Sequence, residues 1–478
     1  MPDKLKLIEF QLSPQENLLR LAVILTHRAQ TFFSILRVQE YEKGENMRHS
    51  LFRSKSLRLF SIIFSKRKSA KVFWSVIASA TALFFLNCAG GGGGGSGSSP
   101  APTTDIAPVD TPFSFSLPAY ITDVFSTTTR TLEFAFVPMD WWGKSYNPSQ
   151  TRYEPSKEYV DSVLDRGRSI GSSVTFFTQF YVLHGDYSIQ TQTYEGAMTA
   201  TVQEMTDYVT KAKAKGYSKV ILFVNLYGQN ASITSAIADL HNSPVPSTIN
   251  QLLDNWKPII TQVAADAEAA GFDGLVVDPR DIYFFFTPAS YAAKWQQIIT
   301  DVKAQFTGKI FFFGGRGTLI DFSNSLTGID GYIVDEGNIQ FLAAVTDENI
   351  GSLKTAWDAY LTEANMVADL VAKGDTYILA LISSYDGSIQ NGWVEPWGEY
   401  PDGTYTQDMK EQAVAYEALF QSIYGLNTLG IKGVISYGYW WSNSMYPTNY
   451  WQRSDIAHSI RLKDAEHVFY RWTQIFNQ

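Results

Sequence analysis

The sequence predicts a single (β/α)8 TIM barrel that follows an export segment and a flexible linker. From residue 112 onward, short apolar runs rich in β-branched and aromatic residues alternate with longer helical patterns. Glycine stands between several helical patterns and the next run, where a left-handed helix end favours it. Runs such as residues 220–224 are apolar throughout, which is typical of a parallel sheet covered by helices.

Eight strands are expected, which is the number that a TIM barrel requires. Each is a short run bounded by turn residues, and three of them begin with glycine. The predicted strands are residues 132–137, 174–180, 219–226, 274–277, 309–313, 331–334, 376–382 and 433–437.

Helical patterns lie between these strands. Thr201 and Glu204 have the spacing of a capping box, which indicates a helix start at that point. Only a short helix fits between residues 313 and 331. The predicted helices are residues 158–168, 201–215, 249–270, 289–305, 353–372, 410–429 and 464–476, and the glycines between helix and strand are Gly171, Gly216, Gly271, Gly374 and Gly430.

The chain ahead of the barrel divides into three parts. Residues 1–65 are interpreted as a disordered or mispredicted extension, residues 66–88 as a signal, residues 89–111 as a linker, and residues 112–478 as the barrel domain. Residues 1–71 carry 14 Lys and Arg against 6 Asp and Glu, whereas the remainder carries 24 against 41. Residues 1–65 lack turn signals and are too short for a folded domain. We therefore expect translation to start later, at or beyond Met47.

Cys88, the only cysteine, follows a basic patch and the uncharged run of residues 72–86. This layout is typical of a secretion signal. The position of Cys88 directly after it resembles the lipidation site of a bacterial lipoprotein, and Asn87 before it is similar to the more varied spirochaete type. The resemblance implies a lipid anchor at the cell envelope, on the outer membrane or cell surface. The alternative is a short transmembrane anchor with an incidental thiol.

The linker contains Gly90 to Gly95 followed by serine and proline, and this composition behaves as a flexible tether. The acidic balance after it argues against nucleic acid or an anionic membrane surface as a partner of the barrel. We expect the lipid bilayer as the partner of the anchor, and a monomer.

Carboxylates and large aromatic residues follow the predicted strands, at the barrel end that carries chemistry in this fold. Sugars stack their C–H faces on aromatic rings and offer hydroxyl groups to carboxylates, so this mixture predicts a glycan cleft. The candidate binding residues are Asp140, Trp141, Trp142, Tyr181, Asn225, Tyr227, Arg280, Trp393, Trp397, Tyr439, Trp440 and Trp441.

Three segments resemble the barrel of glycoside hydrolase family 113: residues 201–224, residues 255–271 continuing to 295–310, and Gly433 through Trp441 with residues 460–466. The resemblance implies a retaining enzyme that cuts β-mannan-type polysaccharides. Gly271-Phe272-Asp273-Gly274, leading to Asp278, is also similar to the endo-α-1,4-polygalactosaminidase barrel.

The family's two catalytic glutamates are not matched. The resemblance implies an acid/base glutamate after the fourth strand and a nucleophilic glutamate at the seventh, where this chain has Asp278 and Asp386 instead. Glycoside hydrolysis needs a protonated and an ionised carboxyl group, and our preferred pair is Asp278 with Glu336. Asp281, Asp335 and Asp386 are the other catalytic candidates.

Two classes of function remain open. One is a membrane-anchored glycosidase, and the other is a non-catalytic glycan-binding or adhesive lipoprotein that keeps the cleft. A separation of about 5 Å between the two carboxyl groups would suit a double displacement, and about 6.5–9.5 Å would suit inversion. None of the six histidines has zinc or iron spacing, so no metal or cofactor is expected.

Overall fold

The computed structural model describes residues 113–122, 125–138, 144–147, 152–155, 157–191, 199–229, 233, 240, 245–278, 288–336, 348–391, 405–438 and 458–477. Within these ranges, the side chains of residues 144–147, 152–155, 157–159, 227, 288–289, 336 and 391 are outside the description. The predicted extension, signal, lipidation site and linker all lie outside the described residues.

The described chain contains short strands and longer helices in alternation. The strands are β1 (Glu133–Val137), β2 (Lys144–Asn147), β3 (Arg152–Pro155), β4 (Val174–Leu183), β5 (Ile189–Thr191), β6 (Lys219–Gly228), β7 (Gly274–Val276), β8 (Lys309–Gly314), β9 (Gly331–Glu336), β10 (Asp375–Ala380) and β11 (Gly433–Tyr437). The helices are α1 (Lys157–Ser169), α2 (Val202–Ala214), α3 (Pro246–Ala270), α4 (Pro288–Lys303), α5 (Arg316–Ser325), α6 (Ile350–Thr362), α7 (Met366–Val371), α8 (Ser388–Asn391), α9 (Met409–Gly425) and α10 (Asp464–Phe476).

Eight parallel strands close into a barrel in the order β1, β4, β6, β7, β8, β9, β10, β11. Closure is visible in β1, which pairs in parallel with both β11 and β4. Strand β5 adds to β4 in the antiparallel direction, and β2 pairs with β3 as a separate hairpin. The predicted (β/α)8 fold is confirmed.

Local sequence signals explain several helix ends. The Glu204 amide donates to Thr201 Oγ1 at 3.2 Å, and the Thr201 amide donates to Glu204 Oε2 at 2.7 Å, which completes the predicted capping box of α2. Gly216 and Gly271 adopt φ of 87° and 82° after α2 and α3. Left-handed backbone of this kind favours glycine because it lacks a Cβ.

Two predictions about helix ends differ from the structure. The helix predicted over residues 353–372 is interrupted, because α6 ends at Thr362 and Ala364 and Asn365 have φ of 49° and 59° before α7 begins. Gly374 is absent from the positive-φ residues. Glycine is needed at position 374 because there is no space for a side chain. A Cβ there would lie 2.6 Å from the Asp330 carbonyl oxygen.

The barrel interior is filled by side chains in layers of four, each layer taken from alternate strands. The middle of the barrel consists of three apolar or aromatic layers, all fully buried. They are Ala135, Ile221, Phe311 and Tyr377; then Phe176, Val276, Ile333 and Ile435; then Val137, Phe223, Phe313 and Leu379.

A layer of small residues lies below these, and it consists of Val174, Gly274, Gly331 and Gly433. The glycines make room for aromatic rings of the next layer. A Cβ on Gly274 would approach the Phe311 ring to 2.8 Å, and a Cβ on Gly433 would approach the Tyr377 ring to 2.8 Å. The aromatic packing of the barrel therefore depends on glycine at the strand starts.

Charged residues close the amino-terminal end of the barrel. Lys219 Nζ donates to Glu133 Oε1 at 2.7 Å, and Lys309 Nζ donates to Asp375 Oδ2 at 2.5 Å. The Tyr377 hydroxyl also donates to Glu133, at 2.5 Å. Burial alone would raise the pKa of Glu133, but the hydrogen bonds from Lys219 and Tyr377 and the charges of Lys219 and Lys432 lower it. We call Glu133, Lys219, Lys309 and Asp375 the basal ion layer.

The helical layer is tied together by a buried ion pair between its first and last members. Arg166 of α1 donates from Nε and Nη2 to the two carboxylate oxygens of Glu466 in α10, at 2.7 and 2.6 Å. Phe113 packs its ring against His467 and Tyr470 of the same helix. Of the helices described, none combines the length and apolar character needed to cross a bilayer.

Candidate functional site

A polar layer follows the three apolar ones toward the carboxyl ends of the strands. It continues the alternation of Phe176, Val276, Ile333 and Ile435 by two residues along each strand, and it consists of Thr178, Asp278, Asp335 and Tyr437. Active sites of TIM barrels lie at this end. The four side chains therefore form the floor of the candidate site, and we call them the floor layer.

Asp278 uses its two carboxyl oxygens differently. Asp278 lies two residues after the end of β7. Its Oδ1 accepts a hydrogen bond from the Phe313 amide of β8 at 2.8 Å, where a strand neighbour would otherwise offer a backbone carbonyl. Oδ2 has no hydrogen-bond partner among the described residues, although it is buried. An unpartnered buried polar group costs about 1–3 kcal/mol, so this arrangement indicates an oxygen reserved for a ligand.

Burial also determines the charge of Asp278. The side chain is fully buried, and burial raises its pKa to about 8, although the hydrogen bond from the Phe313 amide acts in the opposite direction. Because Oδ1 accepts from the amide, the proton of the neutral acid resides on Oδ2. A pKa of about 8 favours the neutral form of Asp278 at neutral pH, in which the proton lies on the oxygen that has no partner among the described residues.

The second carboxyl group of the floor layer belongs to Asp335 of β9. Ile333 faces the barrel interior, and the alternation of the strand places Asp335 on the same face. Asp335 is partly exposed, in contrast to Asp278. The backbone of Glu336 pairs with Ala380 at the end of β9, but its side chain is outside the description. The structure thus brings Asp335 into the layer of Asp278.

Asn225 lies beside Asp278 on the neighbouring strand. Ile221 of β6 pairs with Gly274 of β7, and the same register continued by four residues places Asn225 next to Asp278. Asn225 is fully buried and shares the interior face of Ile221. The prediction that Asn225 belongs to the site is consistent with this position, whereas the side chain of Tyr227 is outside the description.

Comparison with solved structures shows what this barrel resembles. A structure described as a complex of a GH113 β-1,4-mannanase matches with a TM-score of 0.52 and 14% identity, covering 73% of this chain and 99% of that chain. The GH113 β-mannanase AaManA from Alicyclobacillus acidocaldarius, in complex with ManMIm, matches with a TM-score of 0.51 and 15% identity. The match covers 73% of this chain and 98% of that chain. The barrel shares its (β/α)8 fold with these two GH113 structures.

These structural neighbours are glycoside hydrolases, and the family resemblance seen in the sequence is confirmed at the level of fold. Neither a family model nor a curated protein matches the sequence.

Two predicted site residues lie away from the floor of this GH113-like barrel. Tyr181 packs in the apolar cluster between strands and helices, and burial raises its pKa to about 12, with a smaller contribution from the charge of Asp266. Asp386 is exposed in the loop after β10, where its amide donates to the Thr406 carbonyl oxygen at 2.9 Å. The structure does not bring either side chain to Asp278.

The remaining predicted site residues lie outside the described part of the chain. They are Asp140, Trp141, Trp142, Arg280, Asp281, Trp393, Trp397, Tyr439, Trp440 and Trp441. Their assignment to catalysis or glycan binding stays a prediction, as does the pairing of Asp278 with Glu336.

Three residues at the floor were missed by the sequence analysis. Thr178 and Tyr437 belong to the floor layer, and the buried ring of His458 stacks on Tyr437 with a centroid distance of 5.4 Å. Alternation within the predicted strands is the signal that could have found Thr178 and Tyr437. No sequence pattern marks His458.

One group of carboxylates lies outside the barrel interior. Glu348, Asp408 and Glu411 come within 4.8 Å of one another, a spacing that could hold a cation. Each has a structural partner, since Asp408 caps α9, Glu411 accepts from the Gly387 and Ile389 amides, and Lys410 pairs with Glu348. These contacts explain why the three carboxylates lie close together.

Proposed function

We propose that this chain is a glycoside hydrolase that cuts a β-linked polysaccharide with two carboxyl groups, and that Asp278 is its proton donor. The observation that carries the proposal is the buried Asp278 carboxyl group, which has one oxygen fixed by the Phe313 amide and the other unpartnered at the floor. Glycosidases need such a carboxylic acid, kept neutral by its surroundings, to protonate the leaving oxygen.

The second carboxyl group of the proposed mechanism comes from β9. Asp335 shares the floor layer with Asp278 and is partly exposed, so it can supply the second carboxyl group that the reaction requires. Glu336, the next residue, is the alternative. Replacing each of the two by its amide separately distinguishes them, because only the reacting carboxylate should be indispensable.

In the proposed reaction, the proton on Asp278 Oδ2 moves to the glycosidic oxygen while the bond between that oxygen and the anomeric carbon breaks. The β9 carboxylate either attacks the anomeric carbon directly or removes a proton from a water that does so. In the first case, water later hydrolyses the glycosyl ester and returns the proton to Asp278. In both cases the products are two shorter glycans.

The substrate class is proposed from two sources. The solved neighbours with this fold are named as β-mannanases, and the residues after the strands include the predicted tryptophan pairs. Aromatic rings suit the apolar face of a β-linked sugar chain. We therefore propose a β-mannan or a related polysaccharide as the substrate.

The experiment is an assay of the purified residues 112–478 with mannans, glucans and galactosamine-rich polymers. We expect sugar release from wild type, and a loss of about 100- to 10,000-fold in Asp278→Asn, which keeps the acceptor for the Phe313 amide but cannot donate a carboxyl proton. The matched control is Asp273→Asn, since Asp273 lies at the opposite end of β7 and accepts from the Val220 amide at 2.7 Å. Tight glycan binding without release would instead indicate the non-catalytic reading.

We further propose that Cys88 carries a lipid that anchors the chain at the cell envelope. The support is the basic patch, apolar run and cysteine in sequence order. Metabolic labelling with a fatty acid in a bacterial host tests it, with Cys88→Ala as the comparison. Equal labelling of both forms would contradict the proposal.

A further inference from the structure

Three polar side chains on consecutive strands line one side of the barrel floor. Thr178 of β4, Asn225 of β6 and Asp278 after β7 have exposed fractions of 1%, 0% and 0%. The register places Thr178 beside Phe223 and Asn225 beside Phe180. Each of these two polar residues thus has a phenylalanine as its strand neighbour, and Asn225 lies next to Asp278 on the other side. We call the three buried polar residues the polar sector.

Two oxygens of the polar sector have no partner in the described structure. They are Thr178 Oγ1 and Asp278 Oδ2. Below them lie only the apolar layers, so any group that satisfies them has to come from the mouth of the barrel. Buried oxygens without partners are uncommon in folded proteins and call for a specific explanation.

The outward-facing polar side chains of β4, in contrast, have hydrogen-bond partners. Thr175 Oγ1 lies 2.8 Å from the Tyr208 hydroxyl oxygen. Gln179 donates from Nε2 to the Ala200 carbonyl oxygen at 2.9 Å and accepts from the Ala200 amide at 2.7 Å. Thr178, between them in sequence and facing inward, differs from both in having no such partner.

We propose that the polar sector binds a hydroxyl group of the carbohydrate, and that Thr178 is a specificity-determining residue of the site. This inference deepens the proposed function and rests on its carbohydrate substrate. A sugar hydroxyl can donate one hydrogen bond and accept others, which matches a threonine hydroxyl in the same layer as the free oxygen of the Asp278 carboxyl group. A sugar whose hydroxyl points elsewhere would leave Thr178 and Asp278 buried and unsatisfied, and would be rejected for that reason.

The test compares Thr178→Val with Thr178→Ser and wild type. Valine has the shape of threonine without the hydroxyl, whereas serine keeps the hydroxyl. We expect Thr178→Val to bind its preferred oligosaccharide about tenfold more weakly, equivalent to about 1.4 kcal/mol, and Thr178→Ser to bind within about twofold of wild type. The probes are mannotetraose, cellotetraose and a galactosamine oligomer, measured by titration calorimetry.

Stability without sugar gives a second readout that a structural role would not produce. Because Thr178 Oγ1 has no hydrogen-bond partner among the described residues, Thr178→Val should leave Tm unchanged or raise it. The matched control is Thr175→Val on the same strand, which loses a satisfied hydrogen bond and should lower Tm while leaving sugar affinity unchanged.

The possible outcomes separate this inference from the proposed hydrolysis. Binding that weakens in Thr178→Val without any sugar release supports the polar sector and contradicts the hydrolase. Release and binding that are unaffected in Thr178→Val overturn the polar sector and leave the hydrolase standing. A wild type that binds none of the probes, or a Thr178→Val whose only change is a lower Tm, also overturns the inference.

Discussion

Single residues at the floor differ in how well the sequence marks them. Asp278 and Asn225 follow apolar runs directly, and reading the strand ends finds both. Thr178 stands inside a predicted strand, where threonine is a normal strand former. Only the alternation of Val174 and Phe176 shows that it faces the interior. The partly exposed Asp335 and the neighbouring Glu336 cannot be ranked from composition, because both are carboxylates at one strand end.

The raised pKa of Asp278 predicts a pH-dependent stability. Its ordinary value is 3.8 and its value in the folded protein is about 8. Between these pH values the folded state holds a proton that the unfolded state has released, so the free energy of unfolding falls as pH rises from 4 to 8. Above about pH 8 the full cost of the buried charge remains.

Asp278→Asn should remove this part of the pH dependence. Urea unfolding at pH 5 and pH 8 measures it, and we expect wild type to lose more stability than the variant over this interval. The exposed Asp321→Asn is the control and should retain the slope of wild type. A variant with the same slope as wild type would show that Asp278 is ionised in the folded protein.

At the scale of elements, the strands were predictable because burial on both faces makes them apolar throughout. All eight barrel strands lie where the sequence places them, to within a few residues. The break between α6 and α7 was not predictable in this way. Glu363, Ala364 and Asn365 are all compatible with a helix interior, and the break arises where the chain changes direction before α7.

The break predicts that glycine is better than alanine at position 364. Ala364 is exposed with φ of 49° and ψ of 20°, a conformation that costs an L-residue about 1–2 kcal/mol. After allowing for the greater freedom of glycine in the unfolded chain, we expect Ala364→Gly to stabilise by about 0.5–1 kcal/mol.

The control is Ala359→Gly, an exposed position within α6, which should destabilise by about 1 kcal/mol. Thermal unfolding of both variants measures the difference. Destabilisation of similar size at both positions would mean that residues 362–366 form continuous helix in solution.

At the scale of the whole molecule, the barrel depends on contacts between the first and last parts of the domain. Strand β1 pairs with β11, and α1 pairs with α10 through Arg166 and Glu466. The strand pairing follows from the fold class. The ion pair could not be predicted, because the two residues are 300 positions apart and each belongs to an ordinary amphipathic helix.

Removal of one partner of this pair should be costly. Arg166 and Glu466 side chains are 7% and 1% exposed, so Glu466→Ala would leave a buried guanidinium without its carboxylate. We expect a loss of about 3–5 kcal/mol in the free energy of unfolding. Urea denaturation followed by circular dichroism measures it.

The comparison variant is Asp165→Ala, which removes the partner of Lys215 in a pair where the carboxylate is 65% exposed. It should cost less than about 1 kcal/mol. Equal losses for the two variants would mean that Arg166 reaches water once Glu466 is gone.

The apolar layers between the basal ion layer and the floor layer also prevent proton transfer between the two ends of the barrel. Lys219 and Glu133 at the base are partly exposed to solvent. The Tyr377 hydroxyl bonds to Glu133, but the two layers between Tyr377 and the floor layer are entirely apolar and cannot relay a proton to Asp278. Asp278 can therefore exchange its proton only through the mouth. A sugar that fills the mouth would separate this acid from bulk solvent, so the protonation state of Asp278 at the moment of binding determines whether it can donate a proton to that sugar.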